Sequence, residues 1–168
     1  MNLTQRIDSF EQLGVFIKQF TENQKNDTLL ELNNFFYTDF SVLIEQQKSL
    51  NGWFTKENVL LALHGISLWL TAEALQNWVS KYSFLEKKPK NVGVIMAGNI
   101  PLVGFHDMLS VLMSGNNFVG KCASNDATLI QKIVEILVYI NPNFKQKIKL
   151  VEKIQNTDNV SVYIATGS

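Results

Sequence analysis

The chain has little cysteine and little proline. Its 168 residues include one cysteine, Cys122, and three prolines. A single thiol excludes an internal disulfide framework and a zinc site built from several cysteines. It also suits a reducing compartment, so the sequence predicts a cytoplasmic protein. The length and the 46% hydrophobic content are sufficient for one substantial core.

The chain also lacks an excess of charge of either sign. Its 15 basic and 15 acidic residues cancel at pH 7, which leaves no electrostatic basis for binding nucleic acid. The dense basic run around Pro89, which consists of Lys87, Lys88 and Lys90, is interpreted as a solvated linker. We therefore predict that nucleic acid is not a partner.

Long apolar runs are missing from the first half, and the first residues do not resemble a secretory signal because they include Asp8 and Glu11. The longest uncharged window of that half, Asn58 to Ala72, has 15 residues. A membrane-spanning helix needs roughly 20 mostly apolar residues. The sequence therefore predicts buried helix there and no integral membrane segment.

What is present divides the chain into two regions, predicted as residues 1–84 and 85–168. In the first region, apolar residues recur at three- and four-residue intervals, as on one face of a helix. Helices are predicted to begin at Asp27, Thr55 and Thr71. The many aromatic residues of this helical region suit ordinary helix packing, and a groove for an acyl chain or a partner helix is the alternative.

The pattern changes in the second region. Val92 to Met96 is an unbroken apolar run, typical of a strand covered on both faces of a sheet. Pro101 suits the first residue of a helix, and Gly115 suits its end. The further predicted elements are a strand at 117–121, a helix from Asp126 to about Tyr139, and strands at 147–151 and 160–165. This alternation predicts an α/β fold with a parallel sheet.

Functional residues are expected at the carboxyl ends of these strands, where open α/β sheets bind ligands. The G-x-G-x-x-G and Walker A phosphate loops are absent, and no metal site is predicted. Asn99, in the turn after the first strand, can donate its carboxamide to an oxyanion. A turn-forming or helix-capping asparagine is the alternative. Lys121 can reach a ribose hydroxyl or a phosphate, or it can be an ordinary surface lysine.

Three further residues receive structural interpretations. Cys122 has no general base near it in sequence and is not predicted to be a nucleophile. His64 lies in an apolar stretch and is predicted to be packed or capped. His106, beside Asp107, can serve as an acid or base, but a structural role is favoured.

The second region resembles the aldehyde dehydrogenase superfamily. The resemblance rests on VGVIMAGNIPLVGFHDMLSVLMSGNNFVGKCAS, which is similar to the superfamily's first strand, asparagine turn, helix and second strand. It rests also on the terminal IATGS, which is similar to the Gly-Ser turn before the cofactor-facing helix. The resemblance is closest to the long-chain acyl-CoA reductases, the LuxC-like fatty-acid reductases. It implies that residues 85–168 begin a Rossmann-like sheet that is incomplete within them.

The resemblance implies a role for five residues. Asn99 matches the oxyanion asparagine, and Lys121 matches the lysine beside the adenosine ribose of the cofactor. Gly167 and Ser168 match the turn whose backbone amides face the pyrophosphate. Ser124 replaces a glutamate that would bind a ribose 2′-hydroxyl and repel a 2′-phosphate. This replacement agrees with the NADPH use that the acyl-CoA reductase branch implies.

The reaction that the resemblance implies is reduction of a long-chain acyl-CoA, or of an acyl-protein thioester, to a fatty aldehyde with NADPH. The acyl-carrying cysteine of the family lies well beyond its Gly-Ser turn, so the chain resembles an N-terminal fragment that is inactive alone. An acyl-transfer partner protein or a homo-oligomer is also expected.

Two alternative functions remain open. One is a related dehydrogenase that acts on free aldehydes or acyl phosphates. The other is a non-catalytic nucleotide-binding or interaction module whose helical region docks a partner.

Overall fold

The computed structural model of the protein describes residues 1–83, 88–123 and 127–165. In chain order, its main elements are helices α1 (Leu3–Thr21), α2 (Leu30–Leu32), α3 (Thr38–Leu50), α4 (Lys56–Trp69) and α5 (Ala72–Val79), strand β1 (Asn91–Ile95), helix α6 (Phe105–Met113), strand β2 (Asn117–Lys121), helix α7 (Ala127–Ile140), and strands β3 (Ile148–Val151) and β4 (Val160–Ala165). A π-helical turn at Asn33–Tyr37 joins α2 to α3. The predicted helical N-terminal region followed by an α/β region is confirmed.

The four strands form one parallel sheet in the order β3-β2-β1-β4. Helix α6 connects β1 to β2, and α7 lies between β2 and β3, because parallel neighbours need a long crossover connection. The predicted parallel sheet is confirmed, and each predicted strand agrees with the observed one to within one residue at either end.

The two faces of the sheet differ in how far they are covered. Val94 and Phe118 belong to the buried core, so their face is the one packed against the helices. Side chains alternate along a strand, which places Ile95 and Tyr163 on the opposite face. These two side chains are 38% and 59% exposed. The prediction that the first strand is covered on both faces is therefore wrong at its carboxyl end.

One hydrophobic core joins the helical region to the sheet. The ring of Phe10 in α1 lies edge-on to the ring of Phe144, with centroids 5.6 Å apart. Edge-to-face aromatic pairs of this kind are favourable beyond the apolar area that they bury. The boundary that the sequence predicts between residues 84 and 85 lies outside the described residues, so the division into two regions stays a prediction.

Side-chain caps determine where several helices begin. Thr55 and Thr71 cap α4 and α5, as predicted. The prediction for Asp27 is wrong by one residue, because Asn26 accepts a hydrogen bond from the Thr28 backbone N–H at 2.9 Å and Asp27 follows as the first residue of a 3-10 turn. Asparagine and aspartate are equally good caps, so their adjacent positions could not be separated by residue type.

The ends of the other predicted helices also follow from local chemistry. Helix α6 ends at Met113, and Gly115 has a φ of 86°, a left-handed conformation that favours glycine. Helix α7 ends at Ile140, one residue after the predicted Tyr139. The cap predicted at Asp126 lies outside the described residues.

Among the described residues, no single helix has both the length and the apolar character needed to cross a membrane. Taken together, α4 and α5 meet that requirement by length and composition, but the chain bends by 63° between them.

The connection between β3 and β4 is held against the sheet by Asp158, whose side chain is 2% exposed. The backbone N–H of Gln155 donates to Asp158 Oδ2 at 2.7 Å, and Lys149 Nζ donates to Oδ1 at 2.6 Å. Asn91 Nδ2 also donates to the Asp158 carbonyl at 2.7 Å. The hydrogen bond from Gln155, and after it the bond from Lys149, holds the pKa of the Asp158 carboxyl below its usual range.

We expect Asp158 to make the free energy of unfolding depend on pH in acid. A carboxyl whose pKa is lowered by folding stabilises the protein above its ordinary pKa of 3.8. That contribution is lost as the pH falls through the lowered value. The stability difference between the wild type and Asp158→Asn, measured by urea unfolding, should therefore be constant above about pH 5 and shrink below about pH 4. A difference that stays constant throughout the acid range would contradict this assignment.

Candidate active site

The carboxyl edge of β1 and β2 carries two of the predicted functional residues. Ile95, the last residue of β1, is paired in register with Lys121, the last residue of β2. The backbone N–H of Met96 donates to the Lys121 carbonyl at 3.0 Å. The chain that leads to Asn99 therefore leaves the sheet directly beside the end of β2.

Residues 97–104 form an irregular turn. Leu102 has a φ of 58°, and a left-handed L-residue interrupts a right-handed helix. Helix α6 begins only at Phe105, so the prediction that Pro101 is its first residue is wrong. Proline suits a tight turn as well as the start of a helix, and the sequence pattern does not distinguish the two.

The turn is anchored at Leu102. The left-handed conformation costs roughly 1–2 kcal/mol for a residue with a side chain. The Leu102 side chain is 4% exposed within the core, and full burial of a leucine stabilises by roughly 1.5–3 kcal/mol. Burial can therefore offset the strain, and it fixes the turn three residues after Asn99.

A second anchor comes from the helical region. Asn51, between α3 and α4, donates from Nδ2 to the Gly98 carbonyl at 3.0 Å. Its side-chain oxygen accepts from the Trp53 backbone N–H at 3.1 Å, and the residue is 7% exposed. Sequence reasoning missed this contact. Asn51 lies 47 residues before Gly98 and carried only a helix-ending signal.

Asn99 neither caps α6 nor has a left-handed turn backbone. Gly104 is the N-cap residue of α6, and no side chain forms a capping hydrogen bond with this helix. Asn99 does not have the left-handed backbone that favours asparagine in turns. It is exposed, and among the described residues its carboxamide forms no hydrogen bond. Its two N–H donors are therefore available to a ligand.

Lys121 is half-buried at the end of β2. Because side chains alternate along a strand, it lies on the face opposite Phe118 and beside Ile95. Within the described part of the chain its ammonium forms no ion pair or hydrogen bond. The cation is thus available to a ribose hydroxyl or a phosphate. That Lys121 and Asn99 share one pocket stays a prediction.

The other three predicted cofactor residues are Ser124, Gly167 and Ser168. All three lie outside the described residues, so the roles that the resemblance implies for them stay predictions.

Cys122 and His64 differ in their exposure to solvent. Cys122 is half-buried and packs against the core, as a structural cysteine would. His64 is exposed on α4, so the prediction of a packed histidine is wrong. The inner face of α4 carries Leu63, and the next residue along a helix is rotated away from that face.

His106, in the first turn of α6, contacts two tryptophans of the helical region. The centroid of its ring lies 5.5 Å from that of Trp69 and 6.4 Å from that of Trp78. Its Nδ1 lies 3.8 Å from the Asp107 carboxylate. The aromatic contacts favour the structural role, because they join α6 to α4 and α5.

Two open clefts lie away from the candidate site. One, of about 470 Å³, is beside Lys18 near the end of α1. The other, of about 350 Å³, is at the amino edge of the sheet beside Lys147 and Asp158. Ligands of open parallel sheets bind at the opposite, carboxyl edge. We therefore place the candidate site around Asn99 and Lys121.

Comparison with known proteins identifies the family. The family model described as acyl-CoA reductase (LuxC) matches residues 11–165, a range that contains most of the helical region, all four strands, Asn99 and Lys121. No curated protein and no solved structure matches the chain significantly. Because the match covers well over half of the sequence, the chain belongs to the LuxC family of acyl-CoA reductases.

Proposed function

We propose that residues 1–168 form the N-terminal part of an NADPH-dependent reductase that converts a long-chain acyl-CoA, or an acyl-protein thioester, to a fatty aldehyde. The observation that carries the proposal is the match to the acyl-CoA reductase family over residues 11–165. The cysteine that accepts the acyl group is proposed to lie beyond residue 168. Cys122 is not assigned this role, because it directly follows β2 and packs against the core.

The proposed reaction proceeds in two stages. The cysteine thiolate attacks the acyl carbonyl, and the CoA thiolate leaves, which gives an enzyme thioester. When bound, NADPH would supply the hydride that reduces this thioester. The resulting thiohemiacetal anion collapses to the free aldehyde and regenerates the cysteine thiolate. Negative charge develops on the same carbonyl oxygen in both stages.

Asn99 is proposed to stabilise that charge. Its carboxamide carries two N–H donors and has no hydrogen-bond partner among the described residues. The turn is anchored on one side by Asn51 at Gly98 and on the other by buried Leu102. A donor held in this way needs little reorganisation when the oxyanion forms, which is the source of its catalytic effect.

Lys121 is proposed to bind the adenosine ribose side of NADPH. Its half-buried cation, at the edge where parallel sheets bind nucleotides, fits an anionic cofactor. Serine at position 124, in place of a glutamate, would not repel a 2′-phosphate. The backbone amides of Gly167 and Ser168 are proposed to face the pyrophosphate.

The proposal includes a cytoplasmic location, which a single, half-buried thiol supports. It also includes an acyl-transfer partner protein or a second copy of the enzyme. The helical region presents large apolar side chains for such contacts, among them Trp53 at 77% exposure and Leu61 at 70%.

The test is product analysis with the complete protein. We expect a long-chain acyl-CoA and NADPH to yield free CoA, NADP⁺ and fatty aldehyde in equal amounts. Parallel reactions with NADH, with free aldehyde and NADP⁺, and with an acyl phosphate establish the preference. Turnover of free aldehyde or acyl phosphate without turnover of acyl-CoA would favour the alternative dehydrogenases. Binding of NADPH without any turnover would favour the non-catalytic module.

A further inference from the structure

The corner between α3 and α4 contains two buried amide side chains. Gln47 is fully buried and Asn51 is 7% exposed. They lie four residues apart, so both are on the same side of the end of α3. Buried carboxamides are costly unless they are hydrogen-bonded, which makes their partners informative.

Gln47 fixes this corner against α7. Its side-chain oxygen accepts from Thr128 Oγ1 at 3.1 Å, and its Nε2 donates to the Leu43 carbonyl at 3.0 Å. Thr128 lies in the first turn of α7, at the carboxyl edge of the sheet. The corner is therefore tied to the same edge that carries the candidate active site.

Asn51 is held in place on every side. Its backbone N–H donates to the Gln47 carbonyl at 3.0 Å, and its own carbonyl accepts from the Phe54 N–H at 2.8 Å. Its side-chain oxygen accepts from the Trp53 N–H at 3.1 Å. The remaining group, Nδ2, donates to the Gly98 carbonyl at 3.0 Å. This last bond leaves the corner and ends one residue before Asn99.

We propose that Asn51 is a positioning residue of the active site, which fixes the Gly98 peptide and thereby the direction of the Asn99 carboxamide. The inference rests on the proposed oxyanion role of Asn99. Residues 97–104 contain no regular element, and their left-handed Leu102 persists only because surrounding contacts hold it. A shift of about 1 Å in a catalytic group can lower a rate by about 100-fold. A rigid contact beside Asn99 therefore affects turnover.

The test uses Asn51→Asp in the complete enzyme. This change retains the acceptor for Trp53 N–H but puts an oxygen in place of the donor to the Gly98 carbonyl. The matched control is Asn58→Asp, because Asn58 Nδ2 donates to the Trp53 carbonyl at 2.9 Å in the same corner without contacting residue 98. We expect Asn51→Asp to lower kcat by about 10-fold and to leave the KM for NADPH within about two-fold. The control should leave both within about two-fold.

The double mutant of Asn51→Asp and Asn99→Ala distinguishes an effect on the position of Asn99 from a general loss of structure. If Asn51 acts through Asn99, Asn51→Asp should lower kcat no further in an Asn99→Ala background. The proposal would be overturned if the fold losses in kcat of the two single variants multiplied in the double mutant, or if Asn51→Asp left kcat unchanged.

Asn51→Ser also removes the amide donor, without adding charge, and gives the same readouts where Asn51→Asp does not fold. An Asn99→Ala enzyme with full turnover would instead remove the oxyanion role itself, and with it the group that Asn51 positions.

Discussion

Replacement of Asn99 by alanine is expected to lower the kcat of the complete acyl-CoA reductase by roughly 100- to 1,000-fold. The loss corresponds to about 3–4 kcal/mol of transition-state stabilisation, the usual contribution of one oxyanion donor. Affinity for NADPH should change by less than about two-fold, because the carboxamide is proposed to act on the acyl oxygen and not on the cofactor. Steady-state kinetics and direct NADPH titration measure the two quantities.

The control for this experiment is Ile100→Ala. Ile100 is the next residue in the same turn and is 54% exposed, so its truncation shortens a neighbouring side chain without removing a hydrogen-bond donor. We expect this variant to keep turnover within a few-fold of the wild type. Equal losses in the two variants would assign the effect to the turn as a whole. Full turnover in Asn99→Ala would exclude Asn99 from the chemistry.

A large loss of stability is expected from Gly14→Ala in α1. A Cβ at Gly14 would lie 2.6 Å from the Cβ of Leu70 and 3.0 Å from its carbonyl oxygen. These atoms belong to or adjoin the backbone, so they cannot rotate away, and α1 must separate from the end of α4. Overpacking of this kind costs roughly 1–3 kcal/mol. We expect urea unfolding to show a loss of that size despite the better helix propensity of alanine.

The opposite sign is expected for Gly65→Ala in α4. A Cβ built there meets nothing within 4 Å among the described residues. The substitution should therefore stabilise by roughly 0.5–1 kcal/mol, the difference in helix propensity between glycine and alanine. Comparing the glycine-to-alanine substitution in α1 with the one in α4 therefore separates the cost of overpacking from the gain in helix propensity. Stabilisation by Gly14→Ala would show that α1 and α4 are not in contact as described.

Much of the fold could be predicted because strands and helices leave local patterns. The run after Asn91 and the run after Asn117 each combine apolar residues with a turn signal, and both are strands at the predicted place. Predictions from the sequence are weaker where one residue type is common in two kinds of local structure. Pro101 suits a helix start and a turn alike, and only the left-handed backbone of Leu102 shows that the turn is formed.

The candidate site was partly predictable for a similar reason. Asn99 and Lys121 were identified because Asn99 follows one apolar strand and Lys121 ends the next, and parallel strands bring their carboxyl ends to one edge. The family resemblance then suggested which chemistry each side chain serves. Asn51 was not identified, because nothing in the residues around it indicates a partner 47 positions away.

By itself, the amino-acid sequence determined the kind of each main element, the parallel character of the sheet and the edge at which function is expected. These properties follow from periodicity, turn residues and chain connectivity, which act over a few residues at a time. Only the tertiary structure decided that Asn51 holds the Gly98 turn and that Gly14 must lack a side chain beside Leu70. Both contacts join residues that are distant in sequence. They depend on the tertiary packing of these elements against each other, which no local sequence pattern specifies.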